Sequence, residues 1–115
     1  MKITLCGSAQ FESKFHEWNE KLTLAGHLVY GLGAYPSHHG NNKNWYTDEQ
    51  KRQLDQVHLM KILASDSIVV ITDETGYIGD SAKAEINWAL LNDKEIHWTN
   101  DEGIEDILGE PYLVP

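Results

Sequence analysis

Cationic side chains and cysteine are both scarce in this sequence. Its 115 residues include 9 lysines and arginines against 18 aspartates and glutamates, which gives a formal net charge of −9. A groove for a long nucleic acid needs clustered lysine and arginine side chains, so this balance argues against one. The same composition is compatible with a small phosphorylated ligand held by backbone N–H groups. The single cysteine, Cys6, cannot form an intramolecular disulfide, which fits a reducing cytosol.

Long apolar runs are also missing. No stretch of about eighteen apolar residues occurs, so we expect no transmembrane helix. Residues 1–9 contain one lysine and few apolar side chains, which predicts a first β-strand rather than a signal peptide, and hence a cytoplasmic protein. With 41% hydrophobic and 23% charged residues, the composition is that of a soluble globular protein. The length predicts one domain, residues 1–115.

Hydrophobic periodicity predicts strands that alternate with helices. The predicted strands are residues 2–6, 27–33, 66–72, 95–99 and, as a fifth, 111–114. The predicted helices are residues 11–25, 47–64, 81–92 and 101–108. Thr47 and Gln50 have the spacing of a capping box at the start of the second helix. The positions expected to face inward on the second and third helices are Leu54, Val57, Ile62, Ala82, Ile86, Ala89 and Leu90.

This β-α-β order predicts an α/β fold, a three-layer sandwich with a parallel sheet, right-handed crossovers and helices on both faces. Ligands of such sheets bind beyond the carboxyl ends of the strands. Three polar, glycine-containing segments follow strands and are expected to meet there: residues 7–9, 31–36 and 73–81. The sequence therefore predicts a ligand site at this edge.

The segment "TDETGYIGDSAKAEINWAL", residues 72–90, joins the third strand to the third helix. Gly76 and Gly79 permit positive φ and close approach to a ligand. Ser81 is expected to cap the helix, whose free N–H groups suit a phosphate or carboxylate, and Glu85 follows one turn later. A structural explanation stays open, because glycine turns before helices are common and the helix dipole alone favours an early glutamate.

Together, "GS" after the first strand and "HLMKILASDSIVVITDETGYIGDSAKAEINWALLNDKEIHW" resemble the nucleoside 2-deoxyribosyltransferase superfamily, which includes 2′-deoxynucleoside 5′-monophosphate N-glycosidases. The resemblance spans roughly residues 2–98. It implies a flavodoxin-like parallel sheet of order 2-1-3-4-5 and a homodimer or larger homo-oligomer.

The resemblance also implies roles for individual residues. Glu85 matches the nucleophilic glutamate that attacks C1′ of the sugar. Gly7 and Ser8 match the loop that touches base and sugar, and Gly79 and Ser81 match the turn that receives the 5′-hydroxyl or 5′-phosphate. Where the glycosidases carry an aspartate before the third strand, this chain has His58, with Asp55 one turn earlier; either could assist the leaving base.

Other residues are weaker candidates. Tyr77 and Asp80, in the same turn, are expected to contact the ligand, and Trp45 could close over a base as a lid. His38 and His39 lack a third ligand at defined spacing, so we expect no metal site, and we expect no cofactor. Cys6 is more simply a buried apolar residue than a nucleophile.

Two functions remain open from the sequence. The first is an N-glycosidase or deoxyribosyltransferase that acts on a nucleoside or nucleoside monophosphate through Glu85. The second is a non-catalytic nucleotide-binding module, a sensor or sequestering protein that uses the same cleft; the replaced aspartate favours it. Both readings predict a small-molecule partner, and neither predicts a long nucleic acid or a membrane.

Overall fold

The computed structural model of the protein describes residues 1–108. It contains four strands, β1 (Lys2–Gly7), β2 (Leu28–Tyr30), β3 (Ser67–Ile71) and β4 (Glu95–Trp98). Three α-helices connect them, α1 (Glu12–Leu24), α2 (Asp48–Ala64) and α3 (Asp80–Leu91). The strand order is β2-β1-β3-β4 with every pair parallel. The predicted α/β class is confirmed, and the order agrees with 2-1-3-4-5 over these four strands; the proposed fifth strand, 111–114, lies outside the described residues.

Alternation along the strands divides the core into two layers. On one face of the sheet, side chains of β1 and β3 pack against α1; this cluster comprises Ile3, Leu5, Phe15, Trp18, Leu22, Tyr35, Val69, Ile71 and Ile104. On the other face the next residues along the same strands pack against α2 and α3; this cluster comprises Cys6, Ile62, Ile68, Val70 and Ala89. Cys6 is therefore placed between the sheet and the two helices that carry His58 and Glu85.

The N-terminus of α2 has the predicted capping box. The Thr47 hydroxyl accepts a hydrogen bond from the Gln50 N–H at 3.1 Å, and the Gln50 side-chain oxygen accepts one from the Thr47 N–H at 2.9 Å. Two N–H groups that the helix itself cannot satisfy are thereby paired. This cap determines where α2 begins after the long connection from β2, and so sets which of its residues reach the sheet.

Several local predictions were wrong. Val57 and Leu90 are 45% and 58% exposed rather than inward-facing, because α2 and α3 rest on the sheet through His58, Ile62, Ala82 and Ala89. Residues 101–108 form a 3₁₀ helix, Glu102–Ile107, rather than an α-helix. The second strand is three residues long; His27 instead hydrogen-bonds the Met1 amino group and the Ile107 carbonyl.

The polar segments after the strands do converge. β1 and β3 are adjacent and parallel, so Gly7 is paired with Ile71 at the end of the sheet from which the 73–79 turn leaves. No helix among residues 1–108 is long and apolar enough to cross a membrane.

Candidate active site

A cavity of about 630 Å³ opens at the carboxyl end of the sheet. Its floor includes Gly7 and Ser8 from the end of β1, and its walls come from α2, the start of α3 and the connection between β2 and α2. A volume of this size suits a small-molecule ligand, since such pockets are about 300–1,000 Å³. The fold therefore supplies a cleft at the edge where the sequence predicted one.

Glu85 is the most deeply buried carboxylate that lines this cavity. The residue is 9% exposed, and its Oε1 atom has no hydrogen-bond partner within residues 1–108. Burial, reinforced by the negative charge of Asp55 and opposed by Lys51, raises the pKa of Glu85 to about 8. A buried polar atom without a partner is costly to maintain, and such strongly shifted groups concentrate at functional sites.

His58 lies behind Glu85, on the side away from the cavity. Its Nε2 atom is 3.8 Å from Glu85 Oε1 and 3.6 Å from the Cys6 Sγ atom. Burial, with a contribution from the positive charge of Lys61, lowers the pKa of His58 to about 4. Burial, with the adjacent Glu85, raises the pKa of the Cys6 thiol well above its ordinary value. Near neutral pH, His58 is therefore an uncharged imidazole and Cys6 is a protonated thiol.

Lys51 connects the two helices at the mouth of the cavity. Its ammonium group donates to both Asp55 carboxylate oxygens at 2.7 Å and lies 3.4 Å from the Ser81 hydroxyl. Lys51, Asp55 and Ser81 all line the cavity. A cation is therefore placed beside the N-terminal turn of α3, where an anionic group is already favoured by free N–H groups.

The turn between β3 and α3 is held by its own polar groups. Asp73 accepts hydrogen bonds from the N–H groups of Thr75 and Tyr77, and the Thr72 hydroxyl donates to the Tyr77 carbonyl at 2.6 Å. Gly76 has the predicted positive φ of 77°, but Gly79 does not, with φ −82° and ψ 176°. Gly79, rather than Ser81, is the N-cap of α3, so the predicted side-chain cap is absent at this helix.

The long connection between β2 and α2 forms the outer wall. Trp45 lines the cavity and is stacked on His39, with ring centroids 3.8 Å apart and an interplanar angle of 6°. The Ser37 hydroxyl donates to Glu12 on α1 at 2.9 Å, which fastens this connection to the body of the protein. Trp45, which the sequence analysis considered as a lid residue, therefore forms part of the cavity wall.

Most of the residues predicted for the site share this cavity. Those that line it are Gly7, Ser8, Asp55, Gly79, Asp80, Ser81 and Glu85. His58 is in contact with Glu85 but is not among the lining residues. Tyr77 is not among them either; it is 47% exposed and packs edge-on against Phe11. Lys51 was missed by the sequence analysis, although its spacing of four residues from Asp55 places both on one face of α2.

Two glycines of the cavity allow a matched test of this geometry. Gly7 has φ +142°, and a Cβ there would lie 2.6 Å from the Ile71 carbonyl oxygen. We expect Gly7→Ala to lower the free energy of unfolding by about 1–3 kcal/mol or more, because the alanine would combine backbone strain with a steric clash. Gly79→Ala should cost less, about 0.5–1 kcal/mol, because a Cβ at Gly79 meets nothing within 4 Å and only the preference for glycine over alanine at an N-cap is lost. Urea unfolding of the three proteins measures the difference; equal midpoints would contradict the described path of the β1 end.

The described strands and helices form a flavodoxin-like α/β fold with an all-parallel sheet. No protein-family model matches the chain, and no curated protein sequence matches it. Solved structures do. A 2-deoxyribosyltransferase from Bacillus psychrosaccharolyticus has a TM-score of 0.62 at 16% identity, covering 85% of this chain and 71% of that one. The CMP N-glycosidase of Clostridium botulinum has a TM-score of 0.56 at 16% identity, covering 96% of this chain and 82% of that one. These similarities confirm the fold that the sequence resemblance implied.

Proposed function

We propose that the protein cleaves or transfers the N-glycosidic bond of a nucleoside or nucleoside monophosphate. The observation that carries this proposal is Glu85, a buried carboxyl with an unpartnered oxygen in a cavity of nucleotide size. The two structural neighbours, a deoxyribosyltransferase and a CMP N-glycosidase, support the same reaction class. The finer assignments, including Glu85 as the attacking group, are carried over from the family resemblance and are supported by the positions of these residues in the cavity.

In the proposed reaction the ionised Glu85 attacks C1′ of the sugar. The bond from C1′ to the base nitrogen breaks as the bond from C1′ to the glutamate oxygen forms, and the departing base keeps the electron pair and takes up a proton from water in the open cavity. Water or a second base then resolves the glycosyl ester. The transition state has oxocarbenium character, so the neighbouring carboxylate of Asp55 stabilises it through charge.

The other predicted residues divide between the base, the sugar and the phosphate. Asp55 lines the cavity and His58 does not, which favours Asp55 over His58 for contact with the leaving base. His58 is better placed to position Glu85, from which it is 3.8 Å. Lys51, with the Gly79 and Ser81 backbone, is placed to hold a 5′-phosphate, and Gly7 and Ser8 to contact the sugar.

The raised pKa of Glu85 supports a second candidate function. A buried carboxyl that is neutral at pH 7 can donate a hydrogen bond to a sugar hydroxyl without attacking it. The protein would then be a non-catalytic nucleotide-binding module, and the same cavity would serve as its binding site.

One experiment separates these functions. The purified protein is incubated with matched pairs of ribo- and deoxyribonucleosides and their 5′-monophosphates, and released base is measured by chromatography while binding is measured by calorimetry. Released base would support the enzymatic function, and a preference for monophosphates would support the role of Lys51 in binding the 5′-phosphate. Binding with no released base across the panel would establish the binding module instead.

We also propose that two copies of the chain associate through the outer surface of α2 and α3. This surface exposes Val57, Met60 and Leu63 on α2 and Leu90 on α3, with Met60 63% exposed. Exposed apolar side chains on two neighbouring helices support an interface there. Met60→Asp should convert a dimer into a monomer in sedimentation experiments at tens of micromolar. The control is Leu24→Asp, at an 80% exposed position on α1 across the sheet; a monomeric unchanged protein would refute the proposal.

A further inference from the structure

Cys6, His58 and Glu85 bring three different donor atoms together below the cavity. They come from β1, α2 and α3, and the Cys6 Sγ, a His58 ring nitrogen and a Glu85 carboxylate oxygen all lie within 4.8 Å of one another. Cys6 is fully buried, and His58 and Glu85 are 5% and 9% exposed. The proposed glycosidic reaction uses Glu85 but has no need of a thiol.

The spacing of these atoms matches a tetrahedral metal site. Zinc binds sulfur at about 2.3 Å and nitrogen or oxygen at about 2.0–2.2 Å, so its ligands are about 3.3–3.6 Å apart. In the structure His58 Nε2 is 3.6 Å from Cys6 Sγ and 3.8 Å from Glu85 Oε1, and the third separation, from Cys6 Sγ to the Glu85 carboxylate, is within 4.8 Å. The two His58 edges would close around an ion with shifts of a few tenths of an ångström, and the third would close by at most about 1.3 Å through movement of the Glu85 side chain.

The hydrogen bonding of Glu85 adds to this geometry. Glu85 Oε1 is a buried acceptor that lacks a hydrogen-bond partner within residues 1–108, although it is 3.8 Å from His58 Nε2. A structural network would be expected to satisfy such an atom. A cation between the three side chains would satisfy it directly.

We propose that Cys6, His58 and Glu85 bind one Zn²⁺ ion, with the fourth ligand position facing the cavity. Thiolate, imidazole and carboxylate together form a donor set that zinc accepts readily, whereas Mg²⁺ and Ca²⁺ prefer oxygen ligands. The ion reaches the site from the cavity, which Glu85 lines. Binding displaces the protons of the Cys6 thiol and of the Glu85 carboxyl to solvent and exchanges no electrons, because zinc is not redox-active.

Zinc at this site would act as an inhibitor of the proposed reaction. The ion engages the carboxylate oxygen that is required for attack at C1′, so a zinc-bound Glu85 cannot act as nucleophile. This consequence rests on the proposed function, whereas metal binding itself does not. The two are therefore measured separately.

Cobalt provides the direct test, since Co²⁺ takes the place of Zn²⁺ in such sites and is coloured. The full chain is reduced, freed of metal with a chelator and titrated with Co²⁺ without oxygen. We expect one ion per chain, a thiolate-to-cobalt charge-transfer band in the near ultraviolet and visible bands of tetrahedral intensity, all abolished by Zn²⁺. A saturated titration of the unchanged protein without the charge-transfer band overturns the proposal, whatever the variants do.

Two variants assign the ligands. Cys6→Ser keeps the size of the side chain and should remove the charge-transfer band and weaken binding by more than about tenfold; His58→Gln should weaken it similarly. The control is His38→Gln/His39→Gln, which removes the adjacent histidines of the outer wall and should leave the spectrum unchanged. Circular dichroism confirms that each variant is folded. Equal affinity of the unchanged protein and Cys6→Ser would overturn the assignment.

Inhibition is tested on the same proteins if base release is found. Added Zn²⁺ should lower kcat with little change in KM in the unchanged protein but not in Cys6→Ser, because the metal occupies the attacking carboxylate while the residues that bind sugar and phosphate stay free. Zinc binding without inhibition would overturn the inhibitory role and keep the metal site. Absence of any base release would overturn the proposed function and leave the cobalt result standing.

Discussion

Glu85→Gln is expected to reduce base release by at least about a thousandfold. Glutamine keeps the shape of the side chain but removes the charge and the attacking oxygen, so covalent attack and stabilisation of the oxocarbenium ion are both lost. Affinity for the nucleotide should change little, because the proposed contacts to sugar and phosphate come from Gly7, Ser8, Gly79 and Ser81. Single-turnover chromatography and calorimetry on one preparation measure both quantities.

The control for this variant is Glu74→Gln. Glu74 is an exposed glutamate in the same turn and is not among the residues that line the cavity, so its replacement should leave turnover unchanged. If the protein only binds nucleotides, Glu85→Gln should instead change affinity by about 1–3 kcal/mol through a lost buried hydrogen bond. Full base release by Glu85→Gln would exclude Glu85 as nucleophile and direct attention to Asp55 and Asp80.

Base release should also depend steeply on pH, with the direction set by Glu85. Its pKa is raised from 4.5 to about 8, mainly by burial. Since the ionised form attacks, kcat/KM should rise about tenfold per pH unit below 8 and level off above it. His58, whose pKa is about 4, and Cys6, whose thiol pKa is raised, keep their neutral forms over this range. The remaining charged groups that face Glu85 are Asp55 and Lys51 on α2.

The profile is measured from pH 6 to 9 in the presence of a chelator, which keeps metal ions from occupying Glu85. A rate that falls above pH 8 would contradict nucleophilic attack, because it would require the protonated carboxyl. The Glu85→Gln protein provides the baseline, since its residual rate should lack this dependence.

The raised pKa of Glu85 should also make the free energy of unfolding depend on pH. A carboxyl with a folded-state pKa above its unfolded value binds protons preferentially in the folded protein, so its contribution is complete below about pH 4.5 and is lost as pH rises through 8. The lowered pKa of His58 has the opposite effect on stability, because the contribution of His58 is lost as pH falls from 6.5 toward 4. Between pH 6.5 and 8 the Glu85 effect should therefore be visible, at no more than about 1.4 kcal/mol per pH unit. Urea unfolding of Glu85→Gln should lack this slope.

The sequence predicted the order of strands and helices because that order depends on local patterns. The all-apolar run of β3 identified a buried parallel strand, and Thr47 with Gln50 identified the start of α2, whose capping box is present. The errors arose where packing overrides periodicity. Val57 and Leu90 fit a helical apolar pattern, yet they are exposed because α2 and α3 contact the sheet along a narrower face.

For the site, the sequence determined the residues that local chain geometry brings to the cavity edge. Glu85 follows the 73–79 turn by little more than one helical turn, so the helix repeat alone places it near that edge. The tertiary structure alone decided what surrounds it. Cys6 and His58 are separated by 52 residues, and Lys51 reaches Ser81 across 30. Contacts at such separations depend on strand order and on the packing of α2 against α3, and no local pattern encodes them; hence the environment that raises the pKa of Glu85 emerged only with the fold.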